Sequence, residues 1–222
     1  MTIILCGTSH ISTDSQKRID DLIAKYSPDI IAVELDRDRV RSLFEKEQPL
    51  PVTAVLKVGL GPFLFMKMGR FAQKYLAKKV NTSPGVDMKY AIVTAGRHNL
   101  KLALIDRHIQ VTLRRLFKQI TWRERLRFFT KMFTGPFSKD AQTLKKMNLK
   151  EIPSDEIVDL LMKQMKKDFP SVYKVLVHER NIYMGRHLVK LDPDYTVLAV
   201  VGKGHVEGIK EYLNRKEIEV FL

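Results

Sequence analysis

The stretch "LAVVGKGHVEGI", Leu198 to Ile209, decides how this chain is read. Four apolar residues of strand type end in a turn on Gly202 and Gly204, and His205 stands where a helix begins. The other end of the chain has almost the same layout in "IILCGTSHISTDS", where Ile3 to Cys6 leads through Gly7, Thr8 and Ser9 to His10. Two Gly-x-x-His elbows, each a strand turning into a helix, therefore bracket a chain of 222 residues. Glycine and small residues permit the tight backbone turn that each elbow needs.

Outward from the elbows, short β-branched runs alternate with helical periodicity. Ile30 to Val33 forms a second apolar run, and between it and the first elbow Ile19, Leu22, Ile23 and Tyr26 recur at helical spacing. Ser12 or Thr13 suits the N-cap of that helix, and Pro28 closes it. A crossover of this length predicts parallel pairing in a right-handed βαβ unit. "KLALID", Lys101 to Asp106, supplies a third strand after a helix with Met88, Ala91, Ile92 and Ala95 on one face. "TVLAVVG" is a fourth strand, a short helix runs through Tyr212, and "EIEVFL" ends the chain as an edge strand.

The expected fold is α/β, a mostly parallel central sheet with flanking helices, in one domain spanning 1–222. Two helical additions interrupt it. Residues of about 37–80, broken by Pro49, Pro51, Gly59, Gly61 and Pro62, read as a cover; residues of about 107–150 read as a basic, Phe-rich insertion. After the insertion, Ser154 caps a helix carrying Ile157, Leu160 and Leu161, and Pro170 opens another that extends towards Lys190.

Composition excludes several classes. Apolar residues make up 45 % and charged ones 29 %, an ordinary globular balance. The single cysteine, Cys6, has no disulfide partner and lies in a buried-strand pattern, where it packs. No secretory leader pattern opens the chain, so a cytoplasmic location is expected. The uncharged run Val58 to Met66 is shorter than the roughly 20 residues of a spanning helix. The formal charge of +14 suits an anionic partner, and the excess is densest from Arg107 to Lys150, in "LRRLFKQITWRERLRFFTKMF" above all. Its plain reading is a solvated face whose Phe and Leu side chains pack inward. Contact with nucleic acid or an anionic membrane is the other reading, but no recognised nucleic-acid motif accompanies it.

In an open parallel sheet, ligands sit outside the carboxyl ends of the strands. The exits here carry Gly7 to His10, Glu34, Asp106 and Gly202 to His205. Singly, each has an ordinary explanation: Glu34 caps a helix, Asp106 pairs with Arg107, and two unrelated turns account for the histidines equally well. Together they suggest a site. A histidine in a helix's first turn is kept neutral by the dipole, and neutral imidazole with a carboxylate is an N/O donor set suited to Zn, Mn, Co or Fe(II). A second signal is the stripe Val172, Val175, Leu176, whose next members are Glu179 and Arg180. Burying such a pair costs several kcal/mol per ion, so stability is a weak reason for it, although a salt bridge at the rim of the core also fits. The near-motifs are incomplete. "GKGHVEG" has Glu207 at the third glycine position of Gly-x-Gly-x-x-Gly, and "HERNI" has Ile182 where a zincin helix has its second histidine.

The segments "GTSH", "PDIIAVELDRDRV", "PGVDM", "ALIDRHIQVTLRR", "PSVYKVLVHERNIYM" and "VVGKGHVEGI", in this order and spacing, resemble the TraB/PrgY family, related to GumN and the Tiki proteins. The resemblance covers nearly the whole chain and implies an EreA/ChaN-like fold. It carries the family's paired histidines, acidic residue and Glu-Arg onto His10, His205, Glu34, Glu179 and Arg180. Tiki-type relatives are metal-dependent proteases and PrgY-type members act in pheromone shutdown. The implied activity is thus a metal-dependent hydrolase acting on peptides or proteins, with the metal on His10, Glu34 and His205. Glu179 would be a further ligand or general base, Arg180 or Arg107 would stabilise the oxyanion, and Asp87 and Asp106 would be supporting or alternative ligands. A peptide-sequestering protein without turnover is the rival reading. Relatives with C-terminal membrane helices imply a naturally soluble form or an excised domain, in the cytoplasm or on the cytoplasmic face of a membrane. A homodimer through the Phe-rich insertion and a peripheral membrane contact are further expectations.

Overall fold

The computed structural model describes residues 1–8, 14–45, 85–134 and 154–222. The expected cap at Ser12 or Thr13, most of the cover, and the end of the basic insertion lie outside the described residues.

Five strands form one sheet: β1 (Thr2–Thr8), β2 (Ile30–Val33), β3 (Lys101–Leu104), β4 (Thr196–Gly202) and β5 (Glu219–Phe221). The spatial order is β3, β2, β4, β1, β5, and every pairing is parallel. The sheet is therefore wholly parallel, and "EIEVFL" does supply an edge strand. The first βαβ unit departs from the simplest expectation. β1 and β2 are parallel but do not pair, because β4 lies between them and bonds to both. β4 suits that central place: Val197 to Val201 are almost completely buried, the continuous apolar run of a strand covered on both faces.

Alternation along the strands divides the core into two halves. On one face Ile3, Leu5, Ala32, Val197, Ala199 and Val201 pack with Met184, Leu188, Ile209 and Leu213. On the other, Ile4, Cys6, Ile31, Val33, Leu198 and Val200 pack with Ile19, Ile23, Met88, Ala91 and Ala95. The helices on this second face are α1 (Asp14–Tyr26) and α3 (Val86–Arg97), and α2 (Arg37–Phe44) follows β2. Asp36 caps α2 by accepting from the backbone N–H groups of Asp38 and Arg39.

Between β3 and β4 the chain forms α4 (Ile109–Gln119), α5 (Trp122–Thr134), α6 (Ser154–Asp168), α7 (Pro170–Tyr173) and α8 (Glu179–Val189); α9 (Lys203–Asn214) follows β4. The helix expected from Pro170 towards Lys190 is interrupted by a π-type turn at Lys174–His178. Inward packing of the basic insertion holds for α4, where Leu113 and Leu116 are buried. It fails for part of α5, where Trp122 and Leu126 are exposed.

The α8 contribution is testable. Leu188 is fully buried against the sheet, so Leu188→Ala is expected to lower the unfolding free energy by about 2–5 kcal/mol. Urea denaturation followed by far-UV circular dichroism reads this directly.

Candidate functional site

The register of the central strands aligns the last residues of β1 and β4. Thr8 lies opposite Gly202 and Gly7 opposite Val201 in the β1–β4 pair, so the two strands end side by side. Beside them, β2 ends at Glu34 and β3 leads to Asp106. His10 lies outside the described residues.

Glu34, Asp106, Arg180 and His205 form one partly buried polar cluster at this edge. Glu34 Oε2 accepts from the Gly202 N–H at 2.7 Å. Its other oxygen meets Arg180 Nη2 and lies 3.3 Å from His205 Nε2. Arg180 also donates from Nε to Asp106 Oδ1 (3.1 Å) and from Nη2 to Asp106 Oδ2 (2.7 Å). Arg39 Nη1 reaches Asp106 Oδ2 from the exposed side at 3.3 Å. Asp106 thus binds two guanidinium groups and shares one of them with Glu34.

The protonated nitrogen of His205 follows from its neighbours. Nδ1 lies 2.6 Å from Asn181 Oδ1, an acceptor, and so carries a proton. Nε2 stands between Arg180 Nη1 at 3.1 Å and Glu34 Oε1 at 3.3 Å. The ring is thus fixed by a partner on Nδ1 and turns Nε2 to the Glu34 side, the orientation a metal-binding histidine takes. Asn181 reaches His205 because residue 208 is glycine: a Cβ there would overlap the Asn181 amide.

Glu179 serves a separate network. It accepts from Arg107 Nη1 (3.1 Å), Arg115 Nε (2.7 Å) and Nη2 (3.0 Å), and Gln119 Nε2 (2.9 Å). Arg107 also bonds Thr112 and the Val175 carbonyl, and Arg180 bonds the Leu176 carbonyl. Both carbonyls belong to the π-type turn. The stripe reading of Glu179 and Arg180 as inward-facing is correct; their partners differ, and Glu179 shares no hydrogen bond with Glu34 or His205.

The charges are strongly biased. Burial alone would raise the Glu34 carboxyl, but His205, Arg180 and the Gly202 N–H hold it well below the usual carboxylate range. Burial works against the Arg180 charge, and Glu34 and Asp106 more than offset it, so the guanidinium is held above its ordinary value. The hydrogen bond from Arg115 leads those that lower Glu179 to about 2, against a smaller effect of burial. Asp87 is buried in the first turn of α3, on the Cys6 side of the sheet. Burial pushes the Cys6 thiol up to about 11, with Arg18 lowering it and Asp87 raising it.

A second group of possible ligands stands near these residues: Asp36, Asp38 and His108, which the sequence reading did not single out. Each already has a structural duty. Asp36 caps α2 and accepts from the Ile109 N–H; His108 Nδ1 accepts from the Gln110 N–H, which places its proton on Nε2, facing Asp38 at 2.6 Å. Asn181, Arg39, Arg115 and Gln119 were missed as well. Their signals are faint: Asn181 simply follows Glu179 and Arg180, and the others occur in charged helical segments. A cavity of about 580 Å³ lined by Asp20, Ser27, Pro28, Tyr90, Arg97 and Leu100 lies at the opposite, amino end of the sheet.

The fold is an open, wholly parallel α/β sheet with a histidine, two carboxylates and an arginine gathered at its carboxyl edge. Sequence comparison gives the family. The profile of the TraB/PrgY/gumN family matches residues 1–220, and the chain belongs to that family. It is 35 % identical to an uncharacterized protein of Methanocaldococcus jannaschii over 97 % of this chain and 54 % of that protein. It is 25 % identical to a TraB domain-containing protein of Homo sapiens over 94 % of this chain and 62 % of that protein, and likewise to the protein of that name from Bos taurus. The chain thus spans between about half and two thirds of the length of these curated relatives. No helix among the described residues is long and apolar enough to cross a membrane.

Two outcomes follow from the site. Glu179 has a lowered folded-state pKa, so it contributes stability above its ordinary pKa that is lost as pH falls towards about 2. Glu179→Gln is expected to cost about 1.5–3 kcal/mol at neutral pH, and the gap to wild type should close progressively below its ordinary pKa. Chemical denaturation across pH measures it. Gly208→Ala is expected to displace Asn181 and free His205 Nδ1, seen as loss of the slowly exchanging imidazole Nδ1–H signal by NMR.

Proposed function

We propose that this domain is a metal-dependent hydrolase acting on peptides, with a divalent ion between the two Gly-x-x-His elbows. The observation that carries the reading is the Glu34–His205 pair beside the aligned strand exits. His205 Nε2 and Glu34 Oε1 lie 3.3 Å apart, so one ion could be held by both. His205 Nε2 and Glu34 Oε1 are of the right chemistry, and His10, on the neighbouring elbow, would complete the set. A bound ion would supply Lewis acidity towards a peptide carbonyl and towards water.

The chain's own residues take the remaining roles. Asn181 fixes the His205 ring, and the Gly202 N–H orients the Glu34 carboxylate. Arg180 is the cation nearest these groups and is suited to a developing oxyanion, whereas Arg107 is fully engaged with Glu179, Thr112 and Val175. Four donors on Glu179 favour a positioning role, holding α4 and Arg107, over that of general base. Asp106 holds the Arg180 guanidinium.

One observation favours the rival reading, a peptide-sequestering protein without turnover. Arg180 bonds to both Glu34 and His205, so a cation must compete with a guanidinium already there. Metal content and peptide cleavage separate the two readings. For the hydrolase, protein purified without chelator should carry about one divalent ion per chain, with His10→Ala and His205→Ala losing most of it. Chelation should abolish cleavage of a peptide library. Peptide binding that survives chelation, with no cleavage, would replace the hydrolase by the sequestering protein.

A further inference from the structure

Helix α5 has two apolar faces, and the fold uses one. Glu124 and Phe128 turn towards the protein: Glu124 Oε1 accepts from the Ser171 N–H at 2.7 Å, and Phe128 packs edge-on to Phe169 at 6.4 Å. Thr121 and Glu124 form a reciprocal capping box, with Glu124 Oε2 accepting from the Thr121 N–H and Thr121 Oγ1 from the Glu124 N–H. The start of α5 is thereby fastened to α7 and its rotation about its own axis is set. At 3.6 residues per turn, the midpoint of Trp122 and Leu126 lies about 160° around the helix from that of Glu124 and Phe128. Trp122 is 69 % exposed and Leu126 55 %.

The charge around this second face has one sign. Within α5 there are four basic residues and one acid, Glu124, which is buried in its cap. Arg123 lies 5.6 Å from the Trp122 ring, and Arg125 and Arg127 flank Leu126, anchored to the Phe117 and Asp168 carbonyls. An indole and an isobutyl group one turn apart, bordered by guanidinium groups, match the boundary between acyl chains and anionic headgroups.

We propose that α5 docks this domain on an anionic lipid surface, with Trp122 and Leu126 entering the headgroup boundary and Arg123 and Arg125, which border that face, meeting lipid phosphates. A second copy of the chain is a poorer occupant, because a two-fold contact would bring like-charged arginines together. Nucleic acid offers phosphates and a stacking partner for Trp122 but no apolar phase for Leu126.

Trp122 is the chain's single tryptophan and reports on its own environment. The test is emission and co-sedimentation of the whole chain with phosphatidylcholine vesicles, with and without phosphatidylglycerol. Binding to the anionic vesicles should shift Trp122 emission to the blue and weaken as salt rises. Leu126→Asp and Arg123→Glu should each weaken binding roughly tenfold while thermal melts show the fold intact. Leu160→Asp, at an exposed leucine of α6, should leave it unchanged. Four results would overturn the proposal: no vesicle binding, binding with Trp122 emission unshifted, binding equal in Leu126→Asp, or a shift produced by self-association or duplex DNA in place of lipid.

Discussion

The Arg180 guanidinium is the interaction on which the candidate site depends. It comes from the first turn of α8 and ties together the ends of three other elements: Glu34 after β2, Asp106 after β3 and His205 in α9. Removing such a charge from water costs several kcal/mol, recovered only when every neighbouring acceptor is well placed. The placement here is close, with carboxylates on two sides, a backbone carbonyl on a third and the imidazole Nε2 on a fourth. The arrangement specifies where α8 and α9 sit on the sheet more than it stabilises the sheet.

Two polar networks therefore meet at adjacent residues of one helix. Arg180 faces the strand exits, whereas Glu179 binds Arg107, Arg115 and Gln119 and so fastens α4 to α8. The π-type turn just before them contains both carbonyls, Val175 and Leu176, that Arg107 and Arg180 bind. The polar site and the helical insertion are thus mechanically joined, and a shift of α4 would be felt at Glu34 through two adjacent residues.

Asn181 and Gly208 form a second dependency. The amide can orient His205 only because α9 carries no side chain at the point where the two helices cross. Gly208 lies one residue after the position where a dinucleotide-binding loop has its third glycine, yet its role here is close packing between helices, with no phosphate to cradle. A glycine-rich turn is accordingly read by what approaches it and not by its spacing alone.

Much of the architecture was legible in the sequence because it rests on local chemistry. Unbroken apolar runs such as Val197 to Val201 demand burial on both faces, and the interval between Ile30 and Cys6 demands a crossover, so parallel strands and flanking helices follow. The same residues marked Glu34, Asp106, Arg180 and His205 as polar groups at strand exits or on an apolar stripe. Tertiary structure alone decided the rest. Inserting β4 between β1 and β2 is a choice among pairings with similar local energetics, settled by which strand can be buried on both sides. The partner that each charge takes, Arg180 for Glu34 and Arg107 for Glu179, depends on distances between residues more than seventy positions apart. No local pattern encodes those distances, because side-chain pairing is set by how the helices pack and not by the propensities that form them.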